Sequence, residues 1–284
     1  MKYTEYRPAR ALRAFINCFW AIAQDTDDPP SATWDRSVPD GSLELVLHLG
    51  EPMIRRPLDG EAVRESRCVL IGQMTAPYLV GADGPARMLG VRMFPHTGYL
   101  LLEGSVAGFN DRSVDLDSVL PRGARLPLER IANAESIQDA LRILERWCIA
   151  RLRVHSPCAR DRYFSFACRR ILRGRGAIQI GDLSRQMGIS NRYLQRIFVE
   201  RGGISPKLFA GIIRFQHALG FLSSGTPPGF AAIAQEAGYF DQSHFVREFR
   251  RFAGVTPREF ANEQHPFTCH FSDPGNSSYL YNFR

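Results

Sequence analysis

One pattern occurs twice in the C-terminal half of the sequence. The first copy reads LSRQMGISNRYLQRIFVERGGISPKLF at residues 183–209, and the second reads IAQEAGYFDQSHFVREFRRFAGVTPREF at residues 233–260. The matching positions are Leu183, Gly188, Leu194, Phe198, Pro206 and Phe209, then Ile233, Gly238, Phe245, Phe249, Pro257 and Phe260. The successive steps are 5, 6, 4, 8 and 3 residues in the first copy and 5, 7, 4, 8 and 3 in the second. A repeat of about 50 residues is typical of a duplicated supersecondary unit.

Each copy predicts two short helices separated by a tight turn. Gly188 and Gly238 are expected to end the first helix, where a residue with a positive φ is usual. Ser190 and Asp241 then follow as candidate N-caps. The spacing of apolar residues predicts a second helix in each copy, over residues 190–201 and 241–252. The two copies are therefore interpreted as two helix-turn-helix units.

The face of each second helix that lies opposite its apolar stripe carries side chains suited to DNA bases. Arginine pairs with guanine, glutamine pairs with adenine, and small or apolar groups contact the thymine methyl. The candidate DNA-binding residues are Asn191, Arg192, Gln195 and Arg196 in the first copy, and Gln242, Ser243, Val246 and Arg247 in the second. Chance spacing in a helical protein is the alternative for one copy, and two matching copies argue against it.

The second copy resembles the DNA-binding domain of the AraC/XylS family of transcription regulators. Four motifs carry the resemblance, which covers about residues 160–263: Ala237-Gly238-Tyr239, Asp241-Gln242-Ser243-His244-Phe245, Phe249-Arg250-Arg251 and Gly254-Val255-Thr256-Pro257. The resemblance implies two helix-turn-helix units joined by one long helix, for which residues 205–223 are the candidate. Each unit would place its second helix in the major groove. The family often has a further arginine shortly after its proline, but Ala261 fills that position here, so no phosphate contact is assigned to it.

The positive charge of the chain is concentrated in the repeat region. The net charge is +7, and residues 156–264 contain 16 Lys and Arg against 8 Asp and Glu. Residues 1–155 contain 19 against 20, and residues 265–284 contain one of each. A module that binds phosphates needs this distribution, although a solvated basic surface is the alternative.

The first 155 residues show short strand patterns between glycine and proline turns. After the Val38-Pro39-Asp40-Gly41 turn, residues 43–49 alternate as a strand, and further strands are predicted at 63–71, 76–80 and 88–94. Residues 10–23 fit either a helix or a strand. Residues 136–152 form an amphipathic helix, which is interpreted as a dimer or interdomain surface, with core packing as the alternative. Residues 151–162 are the candidate interdomain linker.

The predicted fold class is α+β multidomain. Residues 1–155 form a β-rich sensing or dimerisation domain, a cupin-like barrel or sandwich with helices. Residues 156–264 form an all-α domain with two helix-turn-helix units joined by a long helix, and residues 265–284 form a tail that is either a strand or loose. In the family that the sequence resembles, the N-terminal domain often binds a small effector or mediates dimers.

No catalytic, cofactor or metal site is predicted. His48, Glu44 and His96 are the candidate metal ligands of a cupin, but they lack the HxH spacing and are interpreted as polar residues in a barrel or turn. No GxSxG motif, phosphate-binding loop or CxxC pair occurs, and the six cysteines are interpreted as reduced thiols. The absence of a signal peptide or an apolar run of about 18 residues predicts a cytoplasmic protein with no membrane association.

The sequence therefore predicts a sequence-specific DNA-binding transcription regulator that reads two successive major-groove segments and is modulated through its N-terminal domain. Its predicted partner is double-stranded DNA, and a small-molecule effector, a second copy of the chain and RNA polymerase are further candidates. The alternative function is a β-barrel lyase or isomerase fused to a helix-turn-helix domain.

Overall fold

The computed structural model describes residues 2–23, 34–102, 105–121, 123–153, 158–222 and 229–263. The tail predicted over residues 265–284 lies outside these ranges.

The N-terminal part forms two antiparallel sheets, as the β-rich prediction requires. Its strands are β1 Lys2–Tyr6, β2 Ile16–Ala23, β3 Asp35–Ser37, β4 Leu43–His48, β5 Ile54–Pro57, β6 Val63–Arg64, β7 Cys68–Ile71, β8 Tyr78–Gly81, β9 Arg87–Met93 and β10 Ser113–Asp115. One sheet has the order β1-β2-β9-β4-β7-β10, and the other has the order β3-β8-β5-β6. The β-rich domain is therefore confirmed as a two-sheet structure.

Several parts of the N-terminal domain differ from the sequence prediction, and strands β3, β5 and β10 were not predicted. The ambiguous residues 10–23 contain strand β2, which pairs with β9 in the centre of the larger sheet. Strand β1 was not predicted because its polar sequence KYTEY lies at the edge of the sheet, where one side pairs with none of the described strands. The strand predicted over 63–71 is two strands, because β6 pairs with β5 in the small sheet while β7 pairs with β4 in the large one.

Both faces of strand β4 are covered by protein. Leu43, Leu45 and Leu47 belong to the main apolar core. On the opposite face, Val46 belongs to a second cluster between the sheets, and His48 is fully buried beside it. The predicted alternation is confirmed, and it separates two buried environments rather than a core from solvent.

Helices follow the strands and continue to the C-terminal end of the described chain. They are α1 Leu116–Val119, α2 Leu128–Ala132, α3 Ile137–Arg153, α4 Ala159–Arg173, α5 Ile180–Gln186, α6 Asn191–Gly202, α7 Pro206–Leu222, α8 Phe230–Glu236, α9 Gln242–Ala253 and α10 Pro257–Asn262. Two short 3-10 helices, Gly98–Leu101 and Ala107–Phe109, precede them. The predicted arrangement of two helix-turn-helix units joined by a long helix is confirmed as α5–α6, α7 and α8–α9.

The apolar stripe of α3 packs into the chain's own core. Leu144 and Cys148 are fully buried, and the Trp147 indole donates a hydrogen bond to the Ala124 carbonyl at 3.0 Å. Core packing therefore accounts for this stripe. The linker predicted over 151–162 is also shorter than expected, because α3 continues to Arg153 and α4 begins at Ala159.

Candidate DNA-binding surface

The local signals of the two helix-turn-helix units are confirmed. Gly188 and Gly238 adopt φ angles of 66° and 78°, which only glycine adopts readily. The Ser190 side chain accepts a hydrogen bond from the backbone N–H of Tyr193, as an N-cap of α6 does. Asp241 accepts from the N–H of His244 in the same way and caps α9.

The one-residue difference between the repeats lies in the turn of the second unit. Gly188 is followed by the cap after two residues, whereas Gly238 is followed by its cap after three. The additional residue is accommodated around Phe240, whose side chain is 92% exposed. The two second helices, α6 and α9, are called the reading helices below.

The polar faces of the reading helices are open to solvent. Seven of the eight candidate DNA-binding residues are exposed and one, Val246, is half-buried; the exposed ones are Asn191, Arg192, Gln195, Arg196, Gln242, Ser243 and Arg247. The opposite faces are buried, through Leu194, Ile197 and Phe198 in α6 and Phe245, Phe249 and Phe252 in α9. Each reading helix therefore presents a polar ridge while its apolar side anchors it.

Two residues of the first ridge also have partners inside the unit. Asn191 accepts a hydrogen bond from the Ser184 hydroxyl at 2.6 Å, which ties the start of α6 to helix α5. Arg196 lies 3.9 Å from the Glu200 carboxylate one turn away, and its guanidinium is 5.1 Å from the Tyr193 ring centre. The Arg196 side chain remains 58% exposed, so it can turn toward a duplex without unfolding the helix.

The second ridge forms one wall of a shallow basic groove. Gln242, Ser243, Val246 and Arg247 line this groove together with three residues that the sequence analysis did not assign to the site, namely Arg250, Arg251 and Thr256. The signal for all three was available, since Arg250, Arg251 and Thr256 lie in quoted family motifs. Their charge and position next to the ridge suit phosphate contacts, which position a protein on DNA.

An ion pair holds the second reading helix against the long helix α7. Arg214 of α7 binds both carboxylate oxygens of Glu248 at 2.9 Å, and its guanidinium lies 4.9 Å from the Tyr239 ring centre. Such a forked contact fixes direction as well as distance. His244 lies 3.4 Å from the same carboxylate, so the orientation of α9 depends on side chains from its own unit and from α7.

The N-terminal domain contacts the C-terminal ends of both reading helices. At α6, the Asn110 side-chain amide donates to the Gly203 carbonyl, and the Val106 N–H donates to the Glu200 carbonyl at 3.4 Å. At α9, the Arg36 guanidinium donates to the Ala253 carbonyl at 3.0 Å. The carbonyl groups at the end of a helix lack partners within it, so these contacts give the β-rich domain a direct hold on both reading helices.

A cavity of about 80 Å³ lies between the two sheets of the N-terminal domain. Its charged and titratable lining consists of Asp40, Glu44, His48, Glu65, Tyr78 and Arg92, and Gln216 of α7 also reaches it. Arg92 pairs with the carboxylates of Asp40 and Glu44, and the His48 Nε2 atom lies 3.1 Å from a Glu65 oxygen. Glu44 and His48 were candidate metal ligands together with His96, but His96 does not line this cavity. The described residues contain no His, Cys, Asp and Glu group arranged to hold a metal ion.

Burial of Glu44 predicts a measurable dependence of stability on pH. Loss of water raises the pKa of Glu44 from 4.5 to about 8, although a hydrogen bond with Trp20 opposes the shift. A carboxyl whose pKa is raised on folding stabilises the fold below pH 4.5 and loses this contribution as pH rises toward 8, with a slope of up to about 1.4 kcal/mol per pH unit.

We therefore compare the free energy of unfolding of Glu44→Gln with that of the unmodified protein. The difference in favour of the variant should grow by about 2 kcal/mol from pH 6 to pH 8, because glutamine does not ionise. Urea unfolding followed by circular dichroism at several pH values measures this. Asp83→Asn, which alters an exposed carboxylate in the same domain, serves as the control. Parallel pH profiles for Glu44→Gln and the unmodified chain would contradict the expectation.

The described part of the chain has no helix that combines the length and the apolar character needed to cross a lipid bilayer. In the same residues, Cys18, Cys68, Cys148 and Cys168 are buried free thiols and Cys158 is an exposed one. Burial raises the pKa of the Cys18 thiol above its usual range, so it is not a ready nucleophile.

Comparison with known proteins gives two domain matches. Residues 183–263 match a family described as a helix-turn-helix domain, and residues 4–115 match a domain of unknown function (DUF6597). No curated protein sequence matches the chain.

Solved structures of similar arrangement include ToxT from Vibrio cholerae, at 12% identity and a TM-score of 0.47, covering 86% of this chain and 97% of that one. ToxT with a bound unsaturated fatty acid gives 11% identity and 0.44, covering 86% and 94%. The AraC-like transcriptional activator CuxR gives 13% identity and 0.23, covering 67% and 70%.

The domain match and the paired units define the class of the protein. Residues 183–263 are an AraC-type helix-turn-helix domain. The chain is a DNA-binding transcription regulator, with a β-rich N-terminal domain in front of the DNA-binding part.

Proposed function

We propose that this regulator reads two successive major-groove segments of one duplex with its two reading helices. The base-contacting residues are Asn191, Arg192, Gln195 and Arg196 from α6, and Gln242, Ser243, Val246 and Arg247 from α9. The observation that carries the proposal is the pair of exposed polar ridges on helices whose opposite faces are buried. Two such helices joined by one long helix suit groove segments about one helical turn apart.

Phosphate contacts come from the basic surface around the ridges. The exposed Arg250 and Arg251 border the second ridge, and Arg185, which is 79% exposed, lies on the first helix of the first unit. Binding should therefore weaken as salt rises, because each neutralised phosphate releases a counterion.

The N-terminal domain supplies regulation. A small-molecule effector occupies the cavity between the sheets, and the domain passes the effect on through its contacts with the ends of α6 and α9. A second copy of the chain and RNA polymerase are further proposed partners. The protein acts in the cytoplasm and catalyses no reaction. The domain boundaries 1–155, 156–264 and 265–284 belong to the same proposal.

The test is binding of the full-length protein to the DNA upstream of its own gene, measured by fluorescence anisotropy at increasing salt. We expect a complex that prefers this DNA over shuffled sequence of equal length and that weakens with salt. Equal affinity for both DNAs would overturn the proposed readout. The enzyme alternative, a lyase or isomerase, would instead require turnover of a small molecule by the purified protein.

Arg196→Ala should lower the affinity for the preferred DNA by about 1–3 kcal/mol and relax the preference at one base pair, because a forked arginine contact to guanine is lost. A matched control is Arg125→Ala, since Arg125 is 80% exposed on the N-terminal domain and belongs to neither reading helix. Anisotropy on a set of DNAs with single substitutions separates the outcomes. Uniform weakening on all DNAs would assign Arg196 to phosphate rather than to a base.

A further inference from the structure

We infer that the cavity binds a small organic cation with N–H donors, such as a primary ammonium, and that residues 36–41 transmit its binding to the second helix-turn-helix unit. This inference rests on the proposed effector role of the cavity. It adds the chemical class of the ligand and the path by which the ligand acts.

The charges around the cavity favour a cation. Three carboxylates, those of Asp40, Glu44 and Glu65, line it together with the guanidinium of Arg92. Arg92 is 1% exposed and already pairs with Asp40 and Glu44. An anionic ligand would have to displace two carboxyl groups from this arginine, whereas a cation meets three carboxyl groups against one guanidinium and pairs with Glu44 as that group ionises. Charge complementarity therefore selects against anions.

His48 gives an independent reason to expect a hydrogen-bond donor in the ligand. Its side chain is fully buried, lines the cavity, and places Nε2 at 3.1 Å from a Glu65 oxygen. In the neutral ring, the nitrogen that faces a carboxylate carries the proton and the other nitrogen is an acceptor. The Nδ1 atom has no hydrogen-bond partner among the described residues. A buried acceptor without a partner is costly, and an N–H group of the ligand would satisfy it.

The size of the cavity limits the ligand. A volume of about 80 Å³ accommodates on the order of six non-hydrogen atoms, since one water needs about 10–15 Å³ on the same measure. Apolar lining from Val46, Met53 and Met88 suits a short hydrocarbon chain, and Trp20 and Tyr78 add aromatic surface, which attracts cations. Arg55 lies 3.8 Å from the Tyr78 ring centre but outside the lining. A primary ammonium on a chain of about four carbons fits these limits.

The segment from Arg36 to Gly41, called the coupling segment, contacts the cavity and the DNA-binding domain alternately. Ser37, Val38 and Asp40 line the cavity. Arg36 holds the end of α9 at Ala253 and lies 3.5 Å from the Glu263 carboxylate.

Two further contacts join the coupling segment to the long helix. The Pro39 carbonyl accepts a hydrogen bond of 2.7 Å from Gln216 of α7, and Gln216 itself reaches the cavity. Gly41 has a φ of 83°, and a Cβ atom built there would lie 3.0 Å from the Phe209 ring of α7. A cation that draws Asp40 away from Arg92 therefore shifts a segment packed directly on α7 and α9.

Binding should release a proton. The pKa of Glu44 is about 8 because of burial, and a cation beside it favours the ionised form, so affinity rises between pH 6 and pH 8. The charged and titratable groups around Glu44 are Asp40, Arg92, Cys18, Tyr78, His48 and Glu65.

Calorimetry on the full-length protein tests the ligand class with three probes of similar size: n-butylammonium, 1-butanol and butyrate. We expect n-butylammonium to bind at least tenfold more tightly than the other two, and proton release to appear as a dependence of the heat on the buffer. Glu44→Gln should weaken n-butylammonium at least tenfold, and Asp83→Asn should leave it within twofold. Tighter binding of butyrate, or equal binding of all three probes, would overturn the cation assignment.

Anisotropy with the preferred DNA tests the coupling. Saturating n-butylammonium should change the DNA affinity at least threefold, and tetramethylammonium, which has no N–H donor, should change it less. In Arg36→Gln the cation should still bind by calorimetry, while the ratio of DNA affinities with and without it falls to about one. A cation that binds and leaves the DNA affinity of the unmodified protein unchanged would overturn the coupling.

The two proposals fail in different ways. If the protein shows no sequence preference in the DNA assay, the proposed reading of base pairs is excluded, and calorimetry still tests whether the cavity binds the cation. If the cation does not bind but the DNA preference is intact, the proposed ligand class is excluded and the proposed reading of base pairs stands.

Discussion

Replacing Phe249 with alanine is expected to lower the free energy of unfolding by about 3–5 kcal/mol, as is usual for a large aromatic removed from a core. Phe249 is fully buried on the inner face of α9. Its ring centre lies 5.1 Å from that of Phe215 on α7, and 5.6 Å from those of Phe245 and Phe260. One side chain therefore joins the second reading helix to the long helix and to α10.

The same substitution should weaken DNA binding beyond the loss of folded protein. Without Phe249, α9 keeps the Arg214–Glu248 ion pair but loses the aromatic contact with Phe215 that fixes its distance from α7. The second ridge would then no longer hold a fixed position relative to the first. We expect a loss of sequence preference at the base pairs read by α9, with those read by α6 retained.

Phe240→Ala is the matched control, because it removes the same side chain from a site that is 92% exposed. Its expected effect on unfolding is within about 0.5 kcal/mol. Urea unfolding followed by circular dichroism, with anisotropy on the substituted DNAs, measures both effects. A loss below about 1 kcal/mol for Phe249→Ala would contradict the packing described for the second unit.

The DNA-binding part was predictable because its signals are local. A glycine with positive φ, a capping side chain two or three residues later and an apolar stripe all act within a dozen residues. Gly188, Ser190, Gly238 and Asp241 each have the predicted role for this reason. Their repetition at matching steps then identified the unit without any knowledge of tertiary contacts.

The N-terminal domain was less predictable because its site depends on pairings between distant residues. Alternation in β4 placed Glu44 and His48 on one face, but it did not show that a second sheet covers that face. Glu44 meets Arg92 across the β4–β9 pair, and His48 meets Glu65, 17 residues away. The hydrogen bond from Arg36 to the Ala253 carbonyl joins residues 217 positions apart in the sequence. Neither periodicity nor turn chemistry carries information at that separation.

Replacing Arg92 with methionine is expected to cost about 3–5 kcal/mol of stability at pH 8. Methionine nearly matches the volume of the arginine stem, so the loss comes mainly from the charge. Asp40 and Glu44 would remain in the domain interior without the guanidinium that now pairs with both. Two carboxylates that share a site without a counter-charge repel each other and lose water at the same time.

The loss of stability in Arg92→Met should increase as pH rises. Removal of Arg92 leaves the Glu44 carboxyl, whose pKa burial already raises, without a guanidinium to favour its ionised form, so this group binds its proton more tightly in the folded than in the unfolded chain. A raised folded pKa favours the fold below the unfolded value and loses that contribution as pH rises. The difference in unfolding free energy between Arg92→Met and the unmodified protein should therefore be small at pH 5 and largest at pH 8.

Neutralising the partners should restore stability if this account is correct. The triple variant Arg92→Met, Asp40→Asn, Glu44→Gln retains similar volumes but carries no buried charge, and replacing a buried ion-pair cluster as a whole is often neutral or stabilising. We expect it to recover most of the stability lost at pH 8 and to show no pH-dependent difference between pH 5 and pH 8 from this cluster. A triple variant as unstable as Arg92→Met would mean that the guanidinium stabilises the sheets by packing, and the surplus of negative charge that selects a cation would then lose its energetic basis.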